Sequence, residues 1–206
     1  MKRVGDEFAT DIKSGVAPGA AVATTASQAP VDLTTAVSDY VLAAGEAVFL
    51  SYSNATTVPL MVATSEGVYQ VEIIATSRSY KTGDPQTFLR PNNALTTAGD
   101  SVSIQKVWGP ADTETSTFNK APNSYYTALP LGYGGPIHGL FNISTFLNCK
   151  NITGTLFAYG VAPQAWDRQR NQIDAIWTDI VTPWVSLGTI IFPVAHSGKI
   201  IIRRIL

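Results

Sequence analysis

The chain has one cysteine, Cys149, in 206 residues, so no disulfide can form within it and its stability must come from packing. Charge is also scarce. Lys, Arg, Asp and Glu make up 14% of the residues, against about 25% in an ordinary soluble domain, and the formal net charge is -1. There is no basic stripe to follow a phosphate backbone, which excludes nucleic acid as an expected partner. No apolar run approaches the eighteen or so residues of a membrane span, so no membrane is expected either. The opening MKRVGDEFATDIKSG places Lys2 and Arg3 before Asp6 and Glu7 and has no apolar segment behind them. This predicts synthesis in the cytoplasm without a signal peptide.

Catalytic and metal motifs are missing as well. His138 and His196, the two histidines, stand in Gly/Pro-rich or turn-like sequence without His-x-His, HExxH or CxxC spacing, so neither a metal nor a cofactor is expected. Cys149 with a histidine and an aspartate could be drawn as a nucleophile, base and orienter. In FNISTFLNC, however, Phe141, Ile143, Leu147 and Cys149 share parity, which makes the thiol a small hydrophobe on an apolar strand face. Asp167, Asp174 and Asp179, or Asp112 with Glu114, could supply two carboxyls for glycoside hydrolysis, but as surface acids they have a simpler reading. Gly132-Tyr133-Gly134-Gly135-Pro136 lacks the Lys-Ser/Thr of a phosphate loop and reads as a turn. The chain is therefore expected not to be an enzyme.

What is present divides at about residue 30. SGVAPGAAVATTASQAP, residues 14–30, has almost no charge, no bulky side chain and no period. Such a stretch cannot gain enough burial to offset its conformational entropy, so residues 1–30 are expected to form an extended arm. Residues 31–206 then make one domain, since a body of this size has material for one good core. Strand-like runs follow at 39–43, 46–52, 58–64, 68–76, 101–108, 125–129, 139–147, 152–160, 184–192 and 198–205. A run about every ten residues, with turn signals between, predicts an all-β fold: a single jelly-roll-like β-sandwich.

In 68–76, Tyr69, Val71, Ile73 and Ala75 fall on one face and Gln70 and Glu72 on the other, the alternation of a half-buried strand. Ser65-Glu66-Gly67 before it reads as a hairpin-type loop. Segments 83–100 and 109–123 are dense in turn formers and read as long loops. In 163–180, Trp166, Ile173, Trp177 and Ile180 recur at helical spacing behind Pro163. This segment is a helix or a loop carrying two anchored tryptophans. The C-terminus reads as two strands joined near His196-Ser197-Gly198; Ile200 and Ile202 face one way and Ile201 and Ile205 the other, buried on both sides.

Trp108, Tyr125, Tyr126, Tyr133 and Trp166 lie in or beside the loop-rich parts. They either close the ends of the core or contact a ligand or partner. The arm, the low charge, the β body with large loops and the apolar terminal strand together resemble virion structural proteins of tailed bacteriophages. That resemblance implies a non-enzymatic head or tail subunit located in the virion. It also implies a homo-oligomer that binds other virion proteins through its arm and long loops. The alternative is a carbohydrate-binding module whose loop aromatics stack on glycan.

Overall fold

The computed structural model describes residues 29–76, 86–90, 101–108, 114–119, 129–133, 135–146, 150–159, 168–177 and 183–206. Apart from Ala29 and Pro30, the expected arm lies outside these residues. The described strands are β1 (Val31–Asp32), β2 (Tyr40–Val41), β3 (Ala47–Pro59), β4 (Val62–Ala63), β5 (Val68–Thr76), β6 (Gln86–Arg90) and β7 (Ser101–Trp108). They continue with β8 (Glu114–Asn119), β9 (Leu129–Tyr133), β10 (Ile137–Ser144), β11 (Lys150–Tyr159), β12 (Arg168–Trp177) and β13 (Thr189–Arg204). The fold is all-β, as the spacing of apolar runs predicts.

Eleven strands form one sheet in the order β1-β3-β13-β5-β10-β11-β12-β7-β8, with β6 and β9 attached through β13; β2 and β4 pair separately. The sheet makes its own second layer. The C-terminal part of β13 pairs with β5, while its first residues, Thr189 to Ile191, pair with β6. β6 carries β9, which lies against β11 and β12 without pairing to them. The layer change coincides with two breaks of register between β13 and β3, from Ile191 to His196 and from His196 to Gly198. Asn54, opposite the second break, has a φ of 52°, a left-handed conformation that asparagine tolerates.

The core follows from parity. Across the main layer, Val48, Ile202, Val71, Phe141, Gly154 and Ile173 stand side by side in register, and Leu50, Ile200, Ile73, Gly139, Leu156 and Asn171 form the next row. The non-glycine members of both rows are buried. Leu89, Leu129 and Leu131 of the second layer belong to the same cluster.

Four expectations are corrected. Residues 168–177 of the expected helix, or anchored loop, are β12, paired with β11 and β7. Asn171, Ile173 and Ala175 are buried and Gln172, Asp174 and Ile176 exposed, so the true period is two. The recurrence of Trp166, Ile173, Trp177 and Ile180 mixed both strand parities, and Trp166 and Ile180 lie outside the described residues. The expected loops contain β6 and β8; turn formers on either side of β6 and the hydroxyls within β8 concealed them. Ser65-Glu66-Gly67 does not close a hairpin, because β4 pairs with β2 and β5 pairs with β10 and β13. The C-terminus is one strand: the turn-like Pro193 and His196-Ser197-Gly198 form its crease, Ile201 is half-buried, and Ile205 is exposed. Gly198 belongs there because a Cβ would lie 2.0 Å from the Ile74 carbonyl oxygen.

Candidate functional site: the outer sheet face

Among the residues expected to meet a ligand or partner, Trp108 ends β7 with its backbone opposite Arg170, and Tyr133 ends β9 opposite Gln86. Tyr125, Tyr126 and Trp166 lie outside the described residues, as does Cys149. The backbone pairing does not bring Trp108 and Tyr133 together as neighbours.

The two histidines stand on opposite sides of the sheet. His138 is exposed on the outer face of β10. His196 is buried at the crease of β13, where its Nδ1 lies 2.7 Å from the Val194 carbonyl and its Nε2 lies 2.9 Å from the Gly135 carbonyl. Its ring stacks on Phe192 at 4.3 Å between centroids, and Phe192 stacks on Tyr52 at 5.7 Å. Burial pushes the Tyr52 phenol up, and its hydroxyl has no hydrogen-bond partner. This stack ties the crease to β3. Among the described residues no three His, Cys, Asp or Glu side chains cluster as a metal site would require.

A cavity of about 100 Å³ lies between the β4–β5 loop and the segment before β13, lined by Thr64, Ser65, Glu66, Thr145, Lys150, Pro183 and Trp184. Its hydroxyls are used internally: Thr64 Oγ1 donates to the Trp184 carbonyl, and Thr145 Oγ1 donates to the Ser65 carbonyl at 2.7 Å. Lys150 is 2% exposed. A ligand cleft usually measures ~300–1,000 Å³. This cavity is smaller than that, and it lies against the buried Lys150.

The outer face of the main layer is different. Strands of a half-covered antiparallel sheet should place polar side chains outward. Here Ile74 on β5, Leu140 on β10 and Phe157 on β11 are 42%, 36% and 44% exposed. The register brings them together: Ile74, His138 and Phe157 stand side by side, and Leu140 follows His138 by two residues on the same face. In Leu140's row Glu72 comes next, on β5, and half-buried Ile201 and Phe49 follow beyond it toward β3. Ile176 on β12, 55% exposed, lies farther out.

Polar groups frame this surface. The third row reads Arg203, Gln70, Asn142, Thr153 and Asp174, with a cation at one end and an anion at the other. Arg203 Nη1 lies 3.6 Å from Glu72 Oε2, and the Lys199 ammonium sits 4.0 Å from the centroid of the Phe49 ring. Apolar side chains gathered within a polar frame are a composition common to protein contact surfaces.

Sequence reasoning looked for the contact surface in aromatic-rich loops and missed this face. The signal was present as Ile74, Leu140 and Phe157 at polar-parity positions of three strands. Only the pairing of β5, β10 and β11 makes them neighbours. No family model, curated protein or solved structure matches the chain.

Proposed function

We propose that this protein is a non-enzymatic structural subunit of a virion, of the kind that builds the heads or tails of tailed bacteriophages. In this reading it associates with copies of itself and with other virion proteins. The observation that carries the reading is the uncovered outer face, where Ile74, Leu140 and Phe157 stand exposed as one apolar cluster. A scattered exposed Leu is ordinary, whereas aliphatic and aromatic groups gathered on one sheet face favour association. The low charge supports it, because few ions must lose water when such a surface is covered. The sequence of residues 14–30 adds a segment suited to reaching a neighbour.

The test is the solution mass of the full chain by sedimentation, with electron microscopy of what forms. Defined assemblies larger than one chain are expected. A chain that remains monomeric at high micromolar concentration would remove the reading. The carbohydrate-binding alternative would use the loop aromatics; on the outer face Ile74 and Leu140 present no ring, and of the three clustered residues Phe157 alone does.

A further inference from the structure

We infer that the outer face pairs with the same face of a second copy, about a two-fold axis lying between the two sheets and running along β10. The inference rests on the proposed structural role and specifies the surface that serves it.

Such an axis keeps each row and exchanges the strands on either side of β10, so that β5 of one subunit lies over β11 of the other and β13 over β12. Leu140 then meets Leu140 of the partner subunit at the axis. Ile74 meets the partner's Phe157 on one side, and Phe157 meets the partner's Ile74 on the other, because these residues share a row and flank His138 equally. Arg203 and Asp174 end another row, each two strands from β10, so the operation places Arg203 over the partner's Asp174 twice. The face is therefore complementary to itself in its apolar residues and in the charges that end the Arg203 row, as an isologous contact requires. The same axis sets Lys199 over the partner's Arg170 at the rim. There the Lys199 ammonium leans over the Phe49 ring on β3, away from β10.

The size also suits a second copy. Five strands, β13 through β12 in sheet order and symmetric about β10, at ~4.8 Å spacing and eight residues of ~3.4 Å each give a face on the order of 650 Å². Two such faces bury about 1,300 Å², inside the range of ~1,200–2,000 Å² for stable protein contacts. Aligned sheets in this arrangement pack like the two halves of a sandwich.

The experiment compares the full chain with Leu140→Arg, Asp174→Arg and, as a control, Val37→Arg, by sedimentation equilibrium with circular dichroism on each. Val37 is 99% exposed and lies between β1 and β2, away from the face. Leu140→Arg sets two cations against each other at the axis and should weaken dimerisation at least tenfold. Asp174→Arg should weaken it several-fold and more strongly at low salt, while the control leaves it unchanged. Because Asp174 is exposed, its variant serves even if Leu140→Arg fails to fold. Folded Leu140→Arg and Asp174→Arg proteins that associate like the parent would overturn the inference and leave the structural role standing. A parent chain that is monomeric would overturn both.

Discussion

Phe141 and Gly154 face each other directly across β10 and β11, and a Cβ on Gly154 would lie 2.5 Å from both Cα and Cβ of Phe141. Two positions along β10 the relation reverses, with Gly139 opposite Leu156 and an added Cβ 2.6 Å from the Leu156 Cα. Each large inward side chain thus occupies the space its partner glycine leaves. Gly154→Ala should destabilise the protein by about 2–3 kcal/mol, since the obstruction is partly backbone and cannot swing aside. Urea denaturation will measure this, with Thr155→Ala, half-exposed and adjacent, as a comparison expected to stay within about 0.5 kcal/mol.

Tyr52 should be a site of gain. Its buried hydroxyl has no partner, so Tyr52→Phe keeps the stack on Phe192 and removes an unsatisfied group, stabilising the fold by about 1 kcal/mol. The same phenol sets an alkaline limit. Its folded value is raised by burial, so its contribution is fully present below the unfolded value of about 10 and is lost as pH rises beyond that. Tyr52→Phe should flatten the fall in melting temperature above pH 10. An alkaline limb identical to the parent's would show that other groups control it.

His196 joins the crease of β13, through the Val194 carbonyl, to Gly135, two residues before β10. His196→Phe preserves a ring to stack on Phe192 but leaves the Gly135 carbonyl facing an apolar edge. A loss of about 1–3 kcal/mol is expected, accompanied by faster amide exchange around residues 191–198. Unchanged exchange there would mean that the stack alone holds the crease.

Deleting residues 199–206 should abolish the soluble fold. These residues carry Ile200 and Ile202, both fully buried, and leave β3 and β5 without the strand between them. They also carry Arg204, which donates to the carbonyls of Leu42 at 2.8 Å and Glu66 at 2.9 Å. Each buried aliphatic side chain contributes roughly 1.5–3 kcal/mol, and two newly opened strand edges invite aggregation. Recovery of a soluble truncated chain with native circular dichroism would contradict the central place of β13.

Much of the fold was legible because strand alternation is a local signal. The boundaries of 68–76 and 101–108 coincide with β5 and β7, and the inward set of Tyr69, Val71, Ile73 and Ala75 is buried as its parity predicts. The body was recognisable as all-β from the spacing of its apolar runs. Apolar side chains must leave water, and a strand allows them to do so only at every second residue.

The tertiary structure decided what local pattern leaves open. Residues 168–177 became a strand because β11 and β7 supply hydrogen-bonding neighbours on both sides. The turn formers in 193–198 became a crease because β3, β5 and β6 hold both ends of β13 in sheets. The outer face exists only through the order β13-β5-β10-β11-β12, which collects Ile74, Leu140 and Phe157 from distant parts of the chain. The sequence alone determined which residues alternate. Which strands lie side by side depends on the joint packing of all their faces, a sum over distant contacts that no short window of residues contains.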